Sequence, residues 1–349
     1  MHIPFLSSWL AVPGEVTPLW RHPSVSLFDW LIQLVFPLLM PLKKVTTIVR
    51  EQGSLARLLA LRKSMNDMDA KLHDSLFASW SSERINIGPN VSVLLMRPPG
   101  SQDELLPLLL WLHGGGFTLS NARDSYGATN ATDLLAKGAR FVWASVDYRL
   151  APEHPFPAAP NDALQALDYF VSDPTRSASH GVDASTLHVA GTSAGAGLAA
   201  AVGAAAARKG VNLTSLVVDQ PMLDPNCASE SYTTNGATTV DVVEWLRWAW
   251  GEAYLPDGPP TEAKLRWLVS PISSPGGLTP AHPPTLVVTA SADPLHDEGV
   301  AYADALRGAG KLVHHVKARG SHVLCMTLDR AGRREMLEAW CTLLRADAK

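Results

Sequence analysis

Gly191-Thr192-Ser193-Ala194-Gly195 follows directly on the strand-like run Leu187-His188-Val189-Ala190 and leads into the Ala-rich segment Ala196 to Ala207. Strand, sharp turn and helix form the context in which a G-x-S-x-G pentapeptide acts as a nucleophile elbow. The flanking glycines suit a strained turn that neighbouring chain passes closely. On this reading Ser193 projects its hydroxyl from the end of a sheet, backed by the N-terminus of a helix. In a chain with 25 Gly such a pentapeptide also arises by chance, so its weight depends on what accompanies it.

From residue 90 onward, short β-rich runs alternate with helical stretches. Val91 to Met96, Leu108 to Leu112, Phe141 to Val146, Leu187 to Ala190, Leu216 to Val218, Leu286 to Thr289 and Leu312 to Val316 read as strands. Several are apolar on both faces, as expected of parallel strands covered by helices on either side. Ala128 to Lys137, Asn161 to Val171, Ala194 to Arg208, Glu298 to Ala309 and Arg333 to Leu344 read as helices. The expectation is an α/β fold, with a mostly parallel central sheet flanked by helices and a helical cap. Residues 1–85 and 222–284 interrupt the alternation. We read 1–85 as an N-terminal cap segment, 86–349 as the catalytic domain, and 222–284 as a second cap segment within it.

The chain of 349 residues is 46% hydrophobic and 18% charged, enough for one large core. Its formal net charge of −4 gives no electrostatic reason to expect nucleic acid as a partner. Cys227, Cys325 and Cys341 are too few and too scattered for a disulfide framework or a zinc knuckle, which points to a reducing, cytoplasmic setting. Leu27 to Leu42 is strongly apolar but contains Asp29, Gln33, Pro37 and Pro41. It is shorter than the roughly 20 clean residues of a spanning helix and begins too far from Met1 for an ordinary signal peptide. A segment folded over the site is the preferred reading. Peripheral membrane contact through residues 27–42 is the alternative, and a homodimer is left open.

A serine hydroxyl needs a base to take its proton and N–H donors for the oxygen that becomes negative. His113-Gly114-Gly115-Gly116 follows the strand Leu108 to Leu112 and supplies unshielded amides. Those of Gly115 and Gly116, with that of Ala194 just after the serine, can converge on one oxygen, and Gly114 belongs to the same loop. In sheets of this kind the order is nucleophile, acid, histidine. Acids at strand ends after Ser193 are Asp219, Asp224 and Asp293. Asp293 is favoured because Pro294 ends the strand and turns the chain, while Asp297 and Glu298 suit the start of the next helix. Of the histidines beyond it, His314 and His315 lie in a strand-like run, and at least one should face the core or a neighbouring strand. His322, in the loop Arg319-Gly320-Ser321-His322-Val323, is the preferred base. Val243 to Trp250 carries three of the chain's 11 Trp, so Trp245 and Trp248 are candidates both for core packing and for an apolar wall that holds an acyl chain.

With these residues assembled, the chain resembles the hormone-sensitive lipase family of α/β-hydrolases, in the branch whose elbow reads G-T-S-A-G. The likeness covers roughly residues 85 to 345 and includes Asp147-Tyr148-Arg149-Leu150-Ala151-Pro152-Glu153-His154-Pro155-Phe156-Pro157-Ala158. The resemblance implies Ser193 as nucleophile, Asp293 as the acid that orients the imidazole, His322 as base and then acid, and no metal or organic cofactor. Arg149 and Glu153 are expected to pair with each other beside the site. The family usually has Gly-Phe after the histidine where this chain has Val323-Leu324, so Val323 is expected to narrow the site. The elbow also continues Gly195-Ala196-Gly197 rather than with two adjacent glycines. The implied function is hydrolysis of short to medium acyl esters, small-molecule or lipid. Acyl transfer to an alcohol through the same acyl-enzyme is the alternative, and a non-enzymatic ligand receptor is a third class.

Overall fold

The computed structural model describes residues 55–235, 240–272, 278–279, 281–323 and 325–345. The stretch 27–42, with most of the N-terminal cap segment, lies outside the described residues. The strands are β1 (Ser81–Gly88), β2 (Val91–Arg97), β3 (Leu106–Leu112), β4 (Val142–Asp147), β5 (Val182–Thr192), β6 (Ser215–Asp219), β7 (Thr285–Ala290) and β8 (Val313–Ala318). They form one sheet in the order β1-β2-β4-β3-β5-β6-β7-β8. β2 runs antiparallel to β1 and β4, and every pairing from β4 to β8 is parallel. The first helices are α1 (Leu55–Leu76), α2 (Ser125–Ala136), α3 (Ala158–Val171), α4 (Pro174–Ser179) and α5 (Ala194–Lys209). Between β6 and β7 come α6 (Ser231–Thr234), α7 (Val240–Trp248), a wide π-helical turn over Ala249–Tyr254, and α8 (Ala263–Val269). α9 (His296–Gly308), α10 (Cys325–Leu328) and α11 (Arg330–Arg345) complete the chain.

The uniformly apolar strands keep a period of two beneath their hydrophobicity. In β3, Leu106, Leu108, Leu110 and Leu112 join one core cluster, whereas Leu109 and Trp111 join the other. The first cluster takes in Ala166 and Phe170 of α3, Ala199 and Val202 of α5, and Tyr302 and Leu306 of α9. The second takes in Ala128, Ala131 and Leu134 of α2, with Met336, Leu337 and Trp340 of α11. Helices therefore cover both faces of a mostly parallel sheet, in agreement with the expectation. α5 is buried all along its length from Ala194 to Ala206. Its small side chains let the sheet, α3 and α8 close on it, and that fixes the axis on which the elbow sits.

β1 was not legible as a strand. Of its residues only Ile85 is buried, and the charged Glu83 and Arg84 face solvent, which is how an edge strand is blunted. The division between 85 and 86 thus runs through β1, whose register continues unbroken from Ser81 to Asn86. Of the paired histidines in β8, His315 places Nε2 2.9 Å from Thr289 Oγ1 on β7, while His314 is exposed. No helix among the described residues is long and apolar enough to cross a membrane.

Candidate active site

β5 ends in Thr192, and the chain reverses through Ser193 at φ 56°, ψ −121° before α5 begins. A left-handed non-glycine residue costs on the order of 1–2 kcal/mol. The surroundings hold it there. Ser193 N–H donates to Asp219 O at 2.9 Å, and its carbonyl accepts from Met222 N–H at 3.1 Å. Glycine flanks the turn because backbone meets backbone: a Cβ on Gly191 would lie 2.5 Å from the Gly195 carbonyl carbon, and one on Gly195 would lie 2.5 Å from that of Leu112. A methyl group at either place would push the elbow off the sheet.

Ser193 Oγ lies 3.0 Å from His322 Nε2, and His322 Nδ1 lies 2.7 Å from Asp293 Oδ2. A carboxylate can only accept, so Nδ1 carries the proton and the Nε2 lone pair faces the serine hydroxyl. Asp293 is held in turn, because its Oδ1 accepts from Leu295 N–H at 2.8 Å and its carbonyl accepts from Asn235 Nδ2 at 2.9 Å. Burial pushes the His322 imidazole down. The charge and hydrogen bond of Asp293 and the charge of Asp219 oppose burial and outweigh it, and the group ends above the ordinary 6.5. An imidazole so placed is able to take up a hydroxyl proton near neutral pH.

The glycine loop turns beside the serine. A Cβ on Gly114 would lie 3.4 Å from Ser193 Cβ. Thr118 and Leu119 N–H close the turn on Gly115 O at 3.0 and 2.9 Å. Ala194 supplies a first-turn N–H of α5, which by position has no partner within the helix. His113 stacks on Tyr148 at 4.1 Å, and burial pushes its imidazole down to about 4. It is neutral and serves as scaffold.

The expected pair of Arg149 with Glu153 is not formed. Arg149 instead grips the buried Asp162 of α3, with Nη2 2.6 Å from Oδ1 and its own N–H 2.8 Å from Oδ2. Glu153 pairs with Arg62 of α1, at 2.8 Å for Nη2 to Oε2. Arg62 also donates to Thr118 O and Ala151 O at 2.5 and 2.6 Å, so it ties the glycine loop to the Asp147–Ala158 loop. Adjacent sequence suggested the pairing, but each loop residue found a nearer partner on a different helix.

Among the other acids, Asp219 is buried at the end of β6, with Oδ2 accepting from Tyr126 Oη at 2.6 Å. Asp224 serves a local turn, accepting from Asn226 and Ala228 N–H, whereas Asp297 accepts from Ser231 N–H at the start of α6. Glu298 accepts from Leu223 and Asp224 N–H and from Tyr232 Oη, and burial pushes its carboxyl up to about 8. Trp245 stands over the glycine loop, its Cη2 2.5 Å from where a Gly116 Cβ would be. Trp248 is 1% exposed within the larger core cluster. Phe117 stacks on Tyr254 at 3.9 Å, which seats the π-helical turn on the same loop. Val323 has φ 62°, and its N–H donates to Gln220 Oε1 at 2.6 Å. Gln220, Tyr126 and Arg62 were not singled out from sequence. For Gln220 the available signal was its place directly after a strand at the sheet end where the serine lies.

The family model described as alpha/beta hydrolase fold matches residues 109–326. An ethyl acetate hydrolase from Pseudomonas putida is 32% identical over 229 residues, spanning 65% of this chain and 68% of that protein. A gibberellin receptor from Arabidopsis thaliana is 32% identical over 234 residues, 65% of each chain. Among solved structures, a mutant of the esterase rPPE complexed with (S)-Ac-CPA is similar with a TM-score of 0.72 at 25% identity, covering 93% of this chain and 98% of that one.

Proposed function

The chain belongs to the α/β-hydrolase family, in its hormone-sensitive-lipase-like group, and on that premise we propose a serine carboxylesterase that cleaves short to medium acyl esters through an acyl-enzyme on Ser193. The observation that carries the reading is the continuous line from Asp293 through His322 to Ser193, with hydrogen bonds of 2.7 and 3.0 Å. His322 Nε2 takes the hydroxyl proton as Oγ attacks the ester carbonyl. The carbonyl π electrons move to oxygen, and amide N–H groups of Gly115, Gly116 and Ala194 receive the negative charge. Collapse of the tetrahedral adduct expels the alkoxide, which takes the proton from Nε2 and leaves as alcohol. Water then enters and gives its proton to the same nitrogen as its oxygen attacks the acyl carbon; the second adduct collapses, the proton passes from Nε2 to Ser193 Oγ, and the acid is released. Asp293 keeps the ring oriented and stabilises the imidazolium in both halves.

The test is a series of p-nitrophenyl esters from acetate to octanoate, run in water with and without a competing alcohol. Free acid is expected to exceed new ester throughout; the opposite ratio would establish acyl transfer. Trp245→Ala opens the space over Gly116, so the preferred acyl chain is expected to lengthen. Each methylene newly buried there is worth about 0.8 kcal/mol, roughly fourfold in kcat/KM. An unchanged chain-length profile would remove Trp245 from the pocket.

The pH dependence has a defined sign. Only the neutral imidazole accepts the serine proton, so kcat/KM falls as pH drops through the His322 pKa. Since that group lies above 6.5, the acid limb of the kcat/KM profile is expected to be centred above 6.5. A kcat/KM that shows no fall on the acid side would contradict the assignment of His322.

A further inference from the structure

Gln220 is 1% exposed directly after β6, with its backbone in the left-handed region at φ 51°. Its N–H donates to Val288 O of β7 at 2.9 Å, which pins the main chain to the next strand. The side chain has one orientation that satisfies its neighbours. Nε2 donates to Asp219 Oδ1 at 2.9 Å, and the other carboxylate oxygen of Asp219 accepts from Tyr126 Oη at 2.6 Å. Because a carboxylate accepts, the amide must turn its NH2 towards Asp219 and its oxygen away. That oxygen accepts from Val323 N–H at 2.6 Å, with Cys325 Sγ 3.4 Å distant.

Val323 is the residue immediately after His322, and its φ is 62°. A β-branched residue in the left-handed region crowds its own carbonyl, and it stays there only where the surroundings hold it. The two ring bonds of His322 set the imidazole's direction, but its reach depends on where the backbone of this turn lies. A misplacement of about 1 Å costs on the order of 100-fold in rate.

We propose that Gln220 is a positioning residue for the base: the chain Tyr126–Asp219–Gln220 holds the strained Val323 peptide and thereby keeps His322 within reach of Ser193. It rests on the serine-hydrolase reading, in which His322 moves the proton. No substrate contact is involved, so the effect belongs to the chemical step.

Gln220→Met keeps the length of the side chain and removes its hydrogen bonds to Asp219, Val323 N–H and the Cys325 thiol. In the full-length protein kcat is expected to fall on the order of 10- to 100-fold with KM within about twofold. Val323→Gly relieves the strain that the clamp opposes. In that background Gln220→Met is therefore expected to cost less than about threefold relative to Val323→Gly alone. A merely structural Gln220 would cost the same in both backgrounds, and that result, or an unchanged kcat in Gln220→Met, overturns the proposal. Should Gln220→Met not fold, Tyr126→Phe removes only the outermost hydroxyl and is read in the same two backgrounds. There a kcat loss relieved by Val323→Gly supports the proposal, and no loss or equal losses overturn it. Turnover that survives Ser193→Ala would instead sink the hydrolase reading, so the two failures are distinguishable.

Discussion

Ser193→Ala is expected to lower kcat for a p-nitrophenyl butyrate substrate by on the order of 10,000-fold or more, with the folded state intact. Alanine carries the same Cβ, so the backbone at φ 56° meets the same crowding as before. The elbow is held by main-chain groups: Ser193 N–H on Asp219 O, and Ala196, Gly197 and Met222 N–H on Ser193 O. None of them involves Oγ, whose described partner is His322 Nε2 at 3.0 Å. What disappears is the atom that would become acylated. The measurement is kcat together with fluorophosphonate labelling and thermal unfolding. Turnover at the parent level would end the assignment. A parent protein that takes no label and cleaves no ester would point instead to ligand binding without chemistry.

Asp293→Asn is expected to have an effect of similar size, about 10,000-fold in kcat, although it changes no volume. Asp293 Oδ1 accepts from Leu295 N–H at 2.8 Å, so the oxygen of an asparagine is drawn to that side. Its NH2 then faces His322 Nδ1, where Oδ2 stood 2.7 Å away. A donor at that place makes Nδ1 the acceptor and moves the ring proton to Nε2. The nitrogen facing Ser193 then holds a proton where it needs a lone pair. KM should change little, since the acid touches no substrate. A variant within tenfold of the parent would show that Asp293 does not set the tautomer.

Ser193, Gly114 to Gly116, Asp293 and His322 were legible because each sits where a strand ends, and strand ends are local features of sequence. Turn chemistry and apolar runs locate them without knowledge of the fold. Arg62 was not legible, since its partners Thr118, Ala151 and Glu153 lie on loops far along the chain. Nothing near Arg62 in sequence distinguishes it from any helical arginine. The same holds for Arg149, where proximity to Glu153 suggested one pair and the buried Asp162 formed another. β1 escaped because an edge strand with solvent on one side lacks the apolar run by which the inner strands declare themselves. Val323 was recognised as a departure in side-chain size. Its more telling property is conformational, and only a backbone angle reveals it.

Phe117, Ser120, Ser193, Gln220 and Val323 are non-glycine residues with positive φ, and they lie in the loops that converge on the serine. Each such residue costs on the order of 1–3 kcal/mol that the rest of the fold must offset. Among the described residues, backbone strain therefore gathers at the end of the sheet where Ser193 lies. For protein engineering this sets a direction. Substitutions chosen to raise thermal robustness will find their easiest gains by relaxing these loops, and those gains come at the expense of turnover. Robustness without that loss has to be sought at the opposite end of the strands, where no atom takes part in the reaction.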